Sequence, residues 1–219
     1  DAVEVRHFVT GAKSHIALAG PANKQGRIAA DHICGRRSAY TGALGTSVLK
    51  LFDLTAASTG LNEKQARAAG VAYDKVVTYS ASHASYYPGA RNMTVKTLFD
   101  PASGRILGAQ IVGFDGVDKR MDVLAAAIRA GLTAEQLTEL DLAYAPPYGS
   151  AKDPVNMAGY VIENVRAGLV EQHHWDAVAE LPADGSVILL DVRTPGEVRK
   201  QGLLRSDALH IPLDELRGR

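Results

Sequence analysis

The chain has 219 residues, 46% of them hydrophobic and 22% charged, enough for one large domain or two small ones whose core needs no disulfide staples. Its 24 acidic and 24 basic side chains cancel, which argues against a dedicated nucleic-acid or anionic-membrane surface. No apolar run approaches the roughly 20 residues of a membrane span, no signal peptide is expected, and a single cysteine, Cys34, excludes an internal disulfide framework and suits the cytoplasm.

Residues 1–20 read as short extended pieces, with Val3, Val5 and Val9 among polar neighbours. Pro21 then opens a helix predicted from Ala22 to about Ile33, with Ile28, Ala29 and Ile33 on one face and Gly35 as terminator. Thr46 to Ser58 is a β-prone run (Val48, Leu49, Leu51, Phe52, Leu54) that predicts one buried strand. Asn62 is placed to cap a short helix, Glu63 to Ala69, that stops at Gly70. Asn92 to Phe99 and Arg105 to Val112 predict a hairpin closed by Asp100-Pro-Ala-Ser-Gly104.

Met121, Leu124, Ala125 and Ile128 follow the i, i+3, i+4, i+7 spacing of an amphipathic helix that Gly131 ends. Thr133 with Gln136 makes a capping box for another short helix. Val155, Ala158, Val161, Ile162 and Val165 mark a helix after the loop around Pro146 and Pro147. Beyond Gly168 the character changes: Gln172-His-His-Trp175 begins a short helix, Ala183-Asp-Gly185 is a turn, and Val187 to Val192 predicts a new buried strand, with one further small helix before Arg219.

The stretch Asp141 to Tyr160 carries the most chemistry. Its two prolines stiffen a loop that displays Tyr144, Tyr148 and Lys152, and Ser85-Tyr-Tyr-Pro-Gly89 supplies a second tyrosine loop. Phenols donate to anions or enolates and an ammonium pairs with phosphate, so the set suits a phosphorylated, thiol-bearing or flavin ligand. From spacing alone, packing against a partner subunit is the favoured reading. His83 is an acid, a base or a turn residue, and the other histidines show no metal spacing, so no metal site is expected. Cys34 reads as buried and inert, and Asp118-Lys-Arg120 as a solvated face with a local ion pair. Gly11, Gly42 and Gly45 lack the G-x-G-x-x-G pattern of a dinucleotide site.

Four motifs carry a resemblance: Leu18-Ala-Gly-Pro-Ala-Asn-Lys-Gln-Gly-Arg27, Asp53-Leu-Thr-Ala-Ala-Ser-Thr-Gly60, His83-Ala-Ser-Tyr-Tyr-Pro-Gly89 and Tyr144-Ala-Pro-Pro-Tyr-Gly-Ser-Ala-Lys-Asp-Pro-Val-Asn156. Residues 1 to about 168 resemble the C-terminal part of FAD-dependent pyridine nucleotide-disulfide oxidoreductases, in the group of coenzyme A-disulfide reductases, NADH oxidases and persulfide reductases. The resemblance implies an α+β fold. The end of an FAD-binding domain (1–44) precedes a dimerisation domain (45–168), an antiparallel sheet flanked by helices. Val187-Ile-Leu-Leu-Asp-Val-Arg193, Glu197 and Ile211-Pro-Leu-Asp-Glu-Leu216 resemble the opening of an α/β rhodanese domain, giving a linker and truncated rhodanese over 169–219.

The same resemblance implies roles. Asp1 matches the aspartate that holds the ribityl hydroxyls of FAD, so the chain is expected to begin mid-motif. Pro21 and Ala22 match the helix start facing the flavin, Asn23 and Lys152 match coenzyme A contacts, and Tyr86 and Tyr144 match a catalytic tyrosine pair sent into the partner subunit's site, with Tyr144 also near the flavin. The implied protein is a homodimer that uses NAD(P)H to reduce a small-molecule coenzyme A disulfide, persulfide or polysulfide, with no nucleic-acid or membrane partner. Residues 1–219 alone are expected to be inactive. Two other readings stand beside it: an oxygen-reducing NADH oxidase, and a module that only dimerises.

Overall fold

In a computed structural model that describes residues 1–219, β1 (Glu4–Arg6) pairs antiparallel with β2 (Lys13–His15), and α1 (Ala19–Ile33) follows. The helix starts at Ala19 instead of Ala22, which places Pro21 within its first turn, where a missing N–H breaks no intrahelical bond. No residue of α1 is fully buried: on the face shared by Ile28, Ala29 and Ile33, Ile28 is half-buried, Ala29 is exposed and Ile33 is 87% exposed. Cys34 at its end is exposed, correcting the expectation of a buried cysteine; a helix that buries no residue fully does not bury its C-cap.

The run 46–58 is not one buried strand but a hairpin. β3 (Ser47–Leu51) and β4 (Leu54–Gly60) pair with Leu51 opposite Leu54, leaving Phe52-Asp53 as a two-residue turn with Phe52 at φ 52. Every residue of β3 is exposed, because an edge strand without a covering layer stays open whatever its propensity. α2 (Glu63–Ala68) has the reciprocal cap expected of Asn62, which bonds through its side chain to Gln65 N and receives the Gln65 side chain on its own N–H. β5 (Asp74–Ala81) was not anticipated, although Val76-Val-Thr-Tyr79 is a β-prone run.

β6 (Asn92–Phe99) and β7 (Ile106–Gly113) form the expected hairpin, and the five strands order as β3-β4-β7-β6-β5, all antiparallel. Alternation sends Val76, Val95, Phe99, Ala109 and Ile111 to one side. There they are sealed by Met121, Leu124 and Ile128 of α3 (Val117–Ala130), Leu137 of α4 (Ala134–Thr138) and Val155 and Ile162 of α5 (Pro154–Arg166). On the other side Leu98 packs with Leu61 and Ala66 beneath α2. The remainder of that side is open: the register aligns Tyr79, Thr94, Val112, Ala56 and Leu49 across all five strands, with Tyr79 and Leu49 each 63% exposed.

Residues 1–170 make one compact unit and 171–219 another. In the second, α6 (Trp175–Val178) begins only after His173-His174, which therefore precede the helix. β8 (Leu190–Asp191) pairs in parallel with β9 (Leu209–His210), and α7 (Pro195–Gln201) between them opens on a Thr194–Glu197 capping box. The expected buried strand 187–192 shrinks to β8, with Asp191 buried and Ile188 73% exposed, since a two-stranded sheet offers too little partner surface.

Candidate functional site

Two loops of the first unit meet at the end of the sheet. Ser82, His83 and Ala84 anchor the first below the surface; Ser82 N donates to Arg91 O at 2.9 Å and Arg91 N donates to Ser82 Oγ at 3.3 Å, closing the base of the loop. In the second, Tyr148 N and Gly149 N donate to Ala145 O at 2.8 and 3.1 Å, just past Pro146-Pro147. Ala84 N stitches the two together, donating to Gly149 O at 2.8 Å and to Pro146 O at 3.3 Å.

The result brings Tyr86 and Tyr144, separated by 58 residues, to a hydroxyl–hydroxyl hydrogen bond of 3.0 Å. Both rings are exposed, Tyr86 at 75% and Tyr144 at 48%. The bond to Tyr144, then desolvation and repulsion between the two phenolates, holds the Tyr86 phenol above the ordinary tyrosine range. One hydroxyl donates to the other, which leaves the second O–H of the pair available to another acceptor. Such a pair can donate to an incoming anion, a thiolate included, without itself ionising near neutral pH.

Lys152 ends the second loop, exposed, with Nζ 5.9 Å from the Tyr160 ring centroid, while Tyr148 stays 72% exposed. His83 is buried, its Nδ1 3.2 Å from Ala84 O and its ring edge-on to Tyr87 at 5.8 Å, a packing role within the loop. Arg120 departs most from expectation. It is 1% exposed and ion-paired to Asp153 at 2.9 Å, not part of a solvated face. Its place on the apolar stripe with Val117, Met121 and Leu124 was a readable sign of burial, as was the Asp153-Pro154…Asn156 cap of its partner.

Asp1, Pro21, Ala22 and Asn23 belong to a different part of the unit. Pro21 lines a cavity of about 690 Å³ with Lys24, Arg27, Tyr40, Ala125 and Arg129. The N-terminus of α1 has no side-chain cap and no acidic residue in its first turn, so its positive end is uncompensated. The Asn23 amide donates back to Ala19 O at 2.9 Å, and the Asp1 ammonium lies 3.4 Å from Gln25 Oε1. α3 spans both places: Arg120 meets the tyrosine loops, and Arg129, about 14 Å further along the axis, meets the α1 cavity. No three His, Cys, Asp or Glu side chains gather where they could hold a metal ion, and no helix is long and apolar enough to cross a membrane.

A five-stranded antiparallel sheet backed by helices is the fold of a reductase dimerisation domain. Residues 46–154 match the pyridine nucleotide-disulphide oxidoreductase dimerisation domain, and the chain belongs to that group of oxidoreductases, as an enzyme or part of one. It is similar to the coenzyme A disulfide reductase of Staphylococcus haemolyticus, with 40% identity over 148 residues that cover 67% of this chain and 33% of the relative. Two solved structures resemble it over its whole length and 39% of theirs: the reduced Bacillus anthracis CoADR-RHD, with 49% identity and a TM-score of 0.93, and an NAD-dependent persulfide reductase from A. fulgidus, with 41% identity and a TM-score of 0.90. The chain spans about a third of the length of the curated relatives it matches.

Proposed function

We propose that the chain is the C-terminal part of a homodimeric flavoprotein that uses NAD(P)H to reduce a coenzyme A disulfide, persulfide or polysulfide. FAD and a redox cysteine contributed from outside these residues complete the site, and the isolated chain is inactive. The observation that carries this reading is the Tyr86–Tyr144 hydroxyl pair, exposed on loops stiff enough to hold it against a partner subunit. Similarity to coenzyme A disulfide and persulfide reductases supports the substrate class. In the same reading 1–44 ends the FAD-binding domain, 45–168 is the dimerisation domain, and 169–219 belongs to a rhodanese domain.

Asp1, Pro21 and Ala22 are the residues proposed to hold FAD. The uncapped positive end of α1 suits a ring system that gains negative charge on reduction. A flavin held by these residues would supply two-electron redox chemistry between NAD(P)H and a disulfide-opening thiol. The free hydroxyl of the Tyr86–Tyr144 pair then stabilises the departing thiolate from across the dimer interface. Lys152 offers a charge for coenzyme A phosphate, and Asn23 an amide once it leaves Ala19 O. Cys34, alone and exposed, has no positioned histidine or second thiol and takes no part.

NADH oxidation by the full-length protein, with coenzyme A disulfide, polysulfide or oxygen as acceptor, tests the proposal. Disulfide turnover should fall by about 100-fold in Tyr86→Phe and Tyr144→Phe, the scale of losing one donor to a developing anion. Lys152→Ala should weaken coenzyme A binding by about tenfold in isothermal titration, the loss of a charge-assisted contact. Oxygen reduction with no response to either sulfur acceptor would replace this reading with a water-forming oxidase.

A further inference from the structure

Arg120 is bonded to both tyrosine loops at once. Nη2 donates to Ser82 O at 2.9 Å, at the root of the loop that carries Tyr86, and reaches Tyr148 O at 3.5 Å in the loop that carries Tyr144. Nε and Nη2 donate to Asp153 Oδ2 at 3.1 and 2.9 Å, and Nη1 donates to Gly116 O at 3.2 Å. Asp153 is itself fixed by the chain around it. Its Oδ1 accepts from Val155 N at 3.1 Å, its N–H donates to Asn156 Oδ1 at 3.1 Å, and the Asn156 amide donates to Leu137 O and Leu140 O at 2.9 and 3.1 Å. Gly116 leaves the space: at φ 65 it adopts a backbone that disfavours side chains, and a Cβ there would overlap Arg120 Nη1.

A charge pair this deeply buried (side chains 2% and 4% exposed) loses hydration that its mutual attraction barely repays, and apolar residues of like volume commonly replace such pairs without loss of stability. What apolar residues cannot supply is a planar donor with three directions fixed on three separate segments. We propose that Arg120 and Asp153 are a positioning pair that sets the hydroxyl contact between Tyr86 and Tyr144. Neither touches substrate; they act through the loops. The catalytic consequence rests on the reading of the tyrosines given above, while the positioning itself does not.

The test uses the full chain carrying 13Cζ-labelled tyrosine, followed by NMR as a function of pH. Tyr144→Phe supplies the reference signal of a Tyr86 phenol that has lost its partner. In Arg120→Met/Asp153→Asn, which removes both charges and keeps a good cap residue at 153, Tyr86 should titrate as in that reference, at lower pH than in the unaltered chain. Tyr79 on β5 should stay unchanged. Arg120→Lys keeps a charge opposite Asp153 but loses the fork and should move Tyr86 the same way, so the readout survives if the double variant does not fold. A Tyr86 signal identical to that of the unaltered chain in either folded variant overturns the proposal. In the full-length protein the double variant should lower kcat for the sulfur acceptor by the factor seen in Tyr86→Phe and leave the KM for NAD(P)H unchanged. Phenylalanine variants that turn over normally, beside a Tyr86 signal that still shifts, would sink the functional reading and leave the positioning intact.

Discussion

Glu63 offers a prediction whose size follows from its surroundings. Its carboxylate, 14% exposed at the start of α2, accepts from Lys75 Nζ at 3.0 and 3.2 Å, from Arg67 Nη2 at 3.1 Å and Tyr73 Oη at 3.2 Å, and is paired with Lys96 as well. Burial alone would push its pKa up, but the hydrogen bonds and charges of Lys96 and Lys75 outweigh burial and lower it from 4.5 to about 2. At about 1.4 kcal/mol per tenfold change in proton affinity, that drop corresponds to about 3 kcal/mol. The folded value lies below the unfolded one, so the contribution is complete above pH 4.5 and disappears as pH falls from there towards 2. Glu63→Gln resembles the protonated side chain. It should therefore destabilise the first unit by about 3 kcal/mol at pH 7 and by almost nothing near pH 2. Urea unfolding followed by far-UV circular dichroism is the assay, because Glu63 lies in the first unit and the single tryptophan, Trp175, in the second. A difference between the two proteins that holds constant from pH 7 to pH 3 would refute the ion-pair account and reduce Glu63 to a packing residue.

Two further outcomes test the fold. Gly108→Ala should destabilise the chain by about 3 kcal/mol or prevent folding, since a Cβ there collides with the backbone of Leu61; an unchanged melting temperature would show that β7 can shift away. Asn62→Ala removes the reciprocal cap of α2 and should cost about 1 kcal/mol in urea unfolding at pH 7, whereas Asn62→Ser should recover most of it.

Much of the architecture was legible in short segments. Asn62 with Gln65 and Thr133 with Gln136 form reciprocal caps as read, and Asp100 to Gly104 turns the central hairpin, with Asp100 Oδ1 accepting from Ser103 N and Gly104 at φ 74. The stripe of Met121, Leu124 and Ile128 faces the sheet as its spacing required. Less legible was burial. The apolar run at Val48 to Leu54 is an exposed hairpin, Cys34 is open to solvent, and 187–192 yields a two-residue strand, because apolar composition says that a segment tolerates cover but not that cover exists. Residue chemistry alone marked the two tyrosine loops as a set suited to a ligand, and spacing favoured a subunit contact; the pairing of Tyr86 with Tyr144 came from the motif resemblance.

The sequence by itself determined what acts within about one turn of chain: caps, tight turns, and helical or alternating periodicity. Those signals placed individual helices, turns and strands, because each is settled by near neighbours in the chain, while the α+β class followed from the motif resemblance. Tertiary structure alone decided which side of the sheet is sealed, that Arg120 turns inward to Asp153, and that Tyr86 meets Tyr144. Those contacts join residues 33 and 58 positions apart, and their geometry depends on the whole five-stranded register and the loops hung from it, which no local preference encodes.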